Sequence, residues 1–226
     1  MSFEALPERL AQVRVEIARL ADQPVTIVAV TKGFGPDAIR AALAAGLPDI
    51  GENRVQEAIR KQDELRELAA GEIRWHLIGH VQRNKARAIP GRFELIHSLD
   101  SLELAQELDR RLTAPQRVLV QVNVAREPQK SGCGPEDAPA LARQIAAMQH
   151  LRLEGLMTLA PFTDDEAVQR RTFRDLRGLR DRIKEEGLWL PTLSMGMSGD
   201  YVSAVREGAT VIRLGTALFG QREATA

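Results

Sequence analysis

Lys32 is the first residue of this 226-residue chain whose position suggests reactivity. It follows, after Thr31, the run Val25-Thr-Ile-Val-Ala-Val30, which is apolar and β-branched like a strand buried on both faces. An ammonium group at the end of such a strand is costly unless it is neutral, paired or covalently used. Desolvation lowers an amine pKa and frees the lone pair, as a nucleophile needs to form a Schiff base with a carbonyl compound. The plainer alternative is a lysine that reaches solvent and pairs with a carboxylate such as Glu52.

A second group of residues lies near the C-terminus. Ser194-Met-Gly-Met-Ser198-Gly-Asp-Tyr201 is followed by Ile212-Arg213-Leu-Gly215-Thr216-Ala-Leu-Phe-Gly220. Ser198 reads as the N-cap of a helix running to Glu207, and Gly215 and Thr216 open a short helical turn ending at Phe219. Helix starts offer free backbone N–H groups to anions, glycine permits close approach, and the Ser and Thr hydroxyls add donors. Ordinary glycine turns with a serine cap are the alternative. Gly33-Phe-Gly35 lacks the third glycine of a dinucleotide fingerprint, and no P-loop occurs. A Schiff-base lysine together with a phosphate cradle points to a phosphorylated aldehyde, with pyridoxal 5′-phosphate the obvious candidate.

These residues need a scaffold that brings them together. Phe3, Leu6, Leu10, Val13, Ile17 and Leu20 form a helical stripe ahead of the first strand. From Val25 onward, strands are expected at 25–30, 49–51, 74–78, 93–97, 117–123, 153–157, 192–195 and 209–213. Helices are expected at 36–45, 52–69, 81–88, 101–112, 135–149, 164–186 and 198–207. Alternating β and α units imply a parallel sheet, and eight of them match a closed (β/α)8 TIM barrel, with an open doubly wound sheet as the rival. In a barrel, function gathers at the C-terminal strand ends, and phosphate commonly binds after strands 7 and 8. Strands 1 and 8 are then neighbours, so Lys32 and the Gly215-Thr216 turn can reach one small ligand. Without a Pro/Gly/Ser-rich linker, residues 1–226 read as one domain.

Composition excludes several other functions. Lys plus Arg and Asp plus Glu each total 31, so there is no cationic surplus to favour nucleic acid or an anionic membrane. No stretch approaches the roughly 18 apolar residues of a membrane span. The N-terminus lacks an apolar signal core, and a single cysteine, Cys133, suits a reducing compartment; the expected location is cytoplasmic. No metal site is expected: His76 and His80 straddle a strand end and a loop. The arginines of helix 164–186, interleaved with Asp and Glu, read as a solvated face with local ion pairs.

Several motifs, taken in order along the chain, resemble a known family. They are Val28-Ala-Val-Thr-Lys32, Gly51-Glu-Asn-Arg-Val-Gln-Glu57, Trp75-His-Leu-Ile-Gly-His80 with Gln82 and Asn84-Lys85, Ile96-His-Ser-Leu-Asp100, Lys130-Ser-Gly132, Leu156-Met-Thr158, Ser194-Met-Gly-Met-Ser198 with Asp200, and Arg213-Leu-Gly-Thr216 with Phe219-Gly220. Together they resemble the pyridoxal phosphate homeostasis proteins of YggS and PROSC type, over essentially the whole chain. The resemblance implies a barrel like the alanine racemase N-terminal domain, with pyridoxal 5′-phosphate as cofactor. It implies Lys32 as the Schiff-base lysine, Ser198, Gly215 and Thr216 at the phosphate, Arg213 facing the pyridine nitrogen, and Asn53 in contact with the cofactor. Arg54 stands where the motif often has tyrosine, and Val81 where leucine is usual.

The same resemblance implies a carrier that buffers the aldehyde for vitamin B6 homeostasis, acts without turnover, and has apo-forms of pyridoxal phosphate enzymes as candidate partners. A fixed cation at the ring nitrogen weakens the electron sink on which such enzymes depend. The one tyrosine, Tyr201, sits in the phosphate helix, and the length leaves no room for the second domain that supplies a racemase with its other base. A small amino-acid racemase is the alternative, a sugar-phosphate lyase or isomerase a third reading, and a monomer the expected state.

Overall fold

Eight short parallel strands pair in chain order, and the eighth returns to the first, closing a barrel. They are β1 (Thr26–Val30), β2 (Asp49–Glu52), β3 (Arg74–Leu77), β4 (Leu95–Leu99), β5 (Gln116–Gln121), β6 (Leu151–Met157), β7 (Thr192–Met197) and β8 (Val211–Leu214). The structure is a computed structural model that describes residues 3–68 and 71–221. Between the strands run α2 (Pro36–Ala44), α3 (Val55–Glu64), a 3₁₀ helix (Arg83–Ala88), α4 (Leu102–Asp109), α5 (Ala138–Ala146), α6 (Glu166–Glu185) and α7 (Tyr201–Arg206); α8 (Thr216–Phe219) follows β8. The extra helix α1 (Leu6–Leu20) precedes the barrel.

Alternation along each strand divides the apolar residues between two faces. Ile27, Ala29, Ile96, Val118, Val120 and Leu156 join the main core between strands and helices. Leu95, Leu119 and Met157 form a separate small cluster on the opposite, inner face. The inner face also carries buried polar groups, His76, His97, Ser194 and Arg213. Gly155 on β6 has a steric reason: a Cβ there would lie 1.8 Å from the Thr192 carbonyl oxygen of β7.

Helix α1 buries Leu6, Leu10 and Val13, and it is laced to the other end of the chain. Tyr201 of α7 donates its hydroxyl to Glu16, and Arg9 donates to the Leu218 carbonyl of α8. Phe3 packs edge-on against Phe34, two residues beyond Lys32, and against Phe219 of α8.

All eight expected strands form, but their ends shift where β4–β5, β5–β6 and β7–β8 change register. The helix expected from Glu52 begins at Val55, because Glu52 is the last residue of β2; its expected end, Ala69, lies outside the described residues. The helix expected over 81–88 is a 3₁₀ turn from Arg83. The helix expected from Pro135 starts at Ala138, with Pro139 in its first turn, where the missing N–H costs nothing. The helix expected from Ser198 starts at Tyr201. No helix among the described residues is long and apolar enough to cross a membrane.

Candidate functional site

Burial along β1 ends at Thr31, and the Lys32 side chain is exposed. The Lys32 amine makes no hydrogen bond or ion pair with any described residue, so the alternative of a pairing with Glu52 is not what forms. The buried lysine is Lys61 of α3. Its Nζ donates to Glu52 Oε1 at 2.6 Å, to Glu57 Oε1 at 2.8 Å and to the Thr31 carbonyl at 2.8 Å. Thr31 Oγ1 also donates to Glu52 Oε1, and the Gly33 N–H donates to Glu57 Oε1 at 2.7 Å. The backbone on both sides of Lys32 is therefore clamped while its amine is left uncommitted. Burial pushes the Glu52 carboxyl pKa up against its hydrogen bonds to Lys61 and Thr31. Glu52 Oε2 is buried with no partner among the described residues. At Glu57, burial opposes ionisation, but the bonds from Lys61 and Gly33 prevail and its pKa falls.

Across the β1–β8 seam, Val28 pairs with Arg213 and Ala29 with Leu214. Gly215 follows beside Val30; a Cβ on it would lie 3.6 Å from the Val30 carbonyl oxygen. Lys32 and the Gly215-Thr216 turn thus leave adjacent strand ends. Ser198, after β7, does not cap its own helix. Its Oγ accepts the Gly215 and Ala217 N–H groups at 3.1 Å each, capping α8 instead. With both acceptor positions used, the remaining capacity of Ser198 is its hydroxyl proton. Next to it, Gly199 has nothing within 4 Å of where a Cβ would sit, so backbone is open to close approach there. Asn53 follows β2 and lies half-buried, its side-chain amide without a partner among the described residues. Its carbonyl presses on Gly79, where a Cβ would come within 2.2 Å.

Arg213 points into the lumen. Its Nη1 donates to Ser194 Oγ at 2.6 Å and its Nη2 to the Thr158 carbonyl at 2.9 Å. Burial pulls its pKa down to about 10, against the pull of Asp200, so the guanidinium stays charged at neutral pH. Ser194 Oγ lies 2.8 Å from His97 Nδ1, His97 Nε2 lies 2.9 Å from His76 Nδ1, and His76 Nε2 lies 3.0 Å from Asp49 Oδ1. Arg74 Nε also donates to Asp49 Oδ1, at 2.8 Å, and its Nη2 to Oδ2. Burial holds the His97 pKa well below the ordinary imidazole value, with the neighbouring His76 and Arg213 adding to the effect.

At Asp49 burial opposes ionisation, but the His76 and Arg74 hydrogen bonds outweigh it and bring the pKa from 3.8 to about 2. A depressed folded-state pKa adds stability above the unfolded value and loses it as pH falls through the folded one. Acid titration should therefore remove about 2 kcal/mol between roughly pH 4 and pH 2, and Asp49→Asn should abolish this component. Urea unfolding of both proteins across that range checks it; parallel pH curves would contradict it.

The structure thus brings Lys32, Ser198, Arg213, Gly215 and Thr216 to neighbouring strand ends, with Asn53 at the end of β2. Sequence reading missed Lys61, whose one cue was Glu57 four residues earlier, and it missed Asp49 as the end of the lumen chain. Tyr201 is engaged by Glu16, and burial raises the Cys133 thiol to about 12, which keeps it protonated. On α6, Arg170, Arg174 and Arg177 converge on the buried Glu207.

The chain matches the family described as alanine racemase, N-terminal domain, over residues 7–223. It is 44% identical over 230 residues to the pyridoxal phosphate homeostasis protein of Pseudomonas aeruginosa, covering 98% of this chain and 97% of that one. PipY of Synechococcus elongatus PCC7942, solved with PLP bound, is 40% identical and superposes with a TM-score of 0.84, over 95% of this chain and 100% of that one. The alanine racemase of Clostridium difficile 630 shares the fold at 15% identity, with a TM-score of 0.77 over 96% of this chain and 61% of the enzyme.

Proposed function

Because the chain belongs to the alanine racemase N-terminal domain family and, within it, to the pyridoxal phosphate homeostasis proteins, we propose that it holds pyridoxal 5′-phosphate covalently through Lys32 and acts as a cytoplasmic carrier without turnover. The observation that carries the reading is an uncommitted amine at Lys32 beside the paired loops of Ser198 and Gly215-Thr216, with a buried cation at Arg213. These groups fit the cofactor. The free amine would take its aldehyde, and the Ser198 hydroxyl and the first turn of α8 would hold its phosphate. Arg213 would face the ring nitrogen and favour its unprotonated form, and Asn53 would contact the cofactor from the side of β2.

When bound, the cofactor supplies a reactive aldehyde on an electron-withdrawing ring. Arg213 weakens that withdrawal, and Tyr201 is turned towards Glu16, which leaves no tyrosine to serve as a second base. The lack of a tyrosine free to act as that base supports storage and transfer over racemisation. The partners that follow are apo-forms of pyridoxal phosphate enzymes, with a monomer as the working state and neither nucleic acid nor membrane involved.

Borohydride reduction of the protein loaded with pyridoxal 5′-phosphate, followed by peptide mapping, tests the assignment. One adduct per chain, on the Lys32 peptide, is expected, together with no D-isomer after incubation with single L-amino acids. An adduct on another lysine would remove Lys32 from its role. Sustained D-isomer production, lost in Lys32→Ala, would make the protein a racemase.

A further inference from the structure

The buried polar chain in the lumen admits a single arrangement of its protons. A guanidinium can only donate, so Arg213 gives a proton to Ser194 Oγ. The other neighbour of that oxygen is His97 Nδ1. Were Nδ1 protonated as well, two donors would meet Ser194, and its hydroxyl proton would face no acceptor among the described residues. Ser194 therefore donates to a bare Nδ1. The fully buried, neutral His97 then carries its proton on Nε2 and donates it to His76 Nδ1. His76 in turn keeps its proton on Nε2 and donates it to Asp49 Oδ1. Asp49, the first residue of β2, lies at the strand end facing away from Lys32 and is held from outside by Arg74.

We propose that Asp49 is a positioning residue for Arg213, acting across the lumen through Ser194, His97 and His76. A fixed cation at one end and a fixed anion at the other polarise three neutral links between them, so each link is oriented by the next. Arg213, which cannot accept, and Asp49, which cannot donate, fix the direction of the chain from its two ends. Without an acceptor there, the His76 proton is free to move to Nδ1, where it would meet the His97 Nε2–H head-on. That conflict would pass along the chain until Ser194 no longer held Arg213 Nη1. The consequence for the cofactor rests on the functional reading above: the cation that faces the ring nitrogen is held by a residue that never touches the ligand.

Nitrogen-15 NMR of the apoprotein reads the proton positions directly. Both His76 and His97 should carry a single proton, on Nε2; a proton on Nδ1 of either ring would overturn the proposal. In Asp49→Ala the tautomers should change, rotation of the Arg213 guanidinium should quicken, and pyridoxal 5′-phosphate should bind about tenfold more weakly with an altered absorption spectrum. Asp49→Asn, which keeps an oxygen under the His76 and Arg74 donors, should preserve both tautomers and most of the affinity. A folded Asp49→Ala protein with unchanged Arg213 signals would refute the idea. If Asp49→Ala does not fold, Ser194→Ala removes the link next to Arg213, and unchanged guanidinium rotation there would refute it equally. Failure of the unaltered protein to bind pyridoxal 5′-phosphate would sink the functional reading alone, because tautomers and rotation are measured without cofactor.

Discussion

Replacing Lys32 by alanine is expected to abolish the reducible pyridoxal phosphate adduct while leaving the fold intact. The exposed Lys32 amine contributes no bond to any described residue, so the substitution falls among surface changes, which shift stability by no more than about 0.5 kcal/mol. The clamps on Thr31 and Gly33 come from Glu52, Glu57 and Lys61 and are untouched. The phosphate side also remains, so weak, salt-sensitive binding of the free cofactor should persist. Absorbance titration and mass spectrometry after borohydride reduction give the result, and a urea curve run alongside shows whether the fold has changed. An adduct surviving at full yield in Lys32→Ala would move the covalent site elsewhere.

The largest effect on stability is expected at Lys61. Substituting methionine keeps the side-chain volume but removes a cation buried between Glu52, Glu57 and the Thr31 carbonyl. Glu52 would be left enclosed with the Thr31 hydroxyl as its one donor among the described residues, and breaking such a buried pair costs about 3–5 kcal/mol. The second change, Glu52→Gln, should restore a large part of that loss, because no charge is then stranded. Denaturant midpoints of the two single variants and the double complete the cycle. Simple additivity would show that Lys61 and Glu52 are not coupled. The single variant should also weaken cofactor binding, because the Thr31 carbonyl that precedes Lys32 loses its donor.

The barrel was legible because its strands are short apolar runs separated by helical stripes, and that alternation survives errors of a few residues at each end. The register changes at Ile96, Val118 and Ser194 were not legible, since they depend on how neighbouring strands meet. Lys32 and the Gly215-Thr216 turn were visible through their place at strand ends. Lys61 was not, because it lies in a highly charged helix, where a charged residue reads as solvated. His76 and His97 were seen as strand residues, yet their contact needs the β3–β4 register as well as the residue types. Ser198 was given the wrong helix to cap: its partners lie 17 and 19 residues further on, beyond the reach of any local capping rule.

Helix α1 lies outside the eightfold repeat, yet it touches both sides of the site. Phe3, just ahead of the helix, packs edge-on against Phe34 next to the lysine loop and against Phe219 in the turn that would hold the phosphate, and Arg9 of the helix ties that turn down at Leu218. A helix docked this way sets the local opening free energy of both loops, whereas the strands answer to the global one. Grip on the ligand therefore depends on a helix that is not part of the barrel repeat. Loosening α1 is expected to weaken the hold on the cofactor and to uncover Leu6, Leu10 and Val13 of the main core.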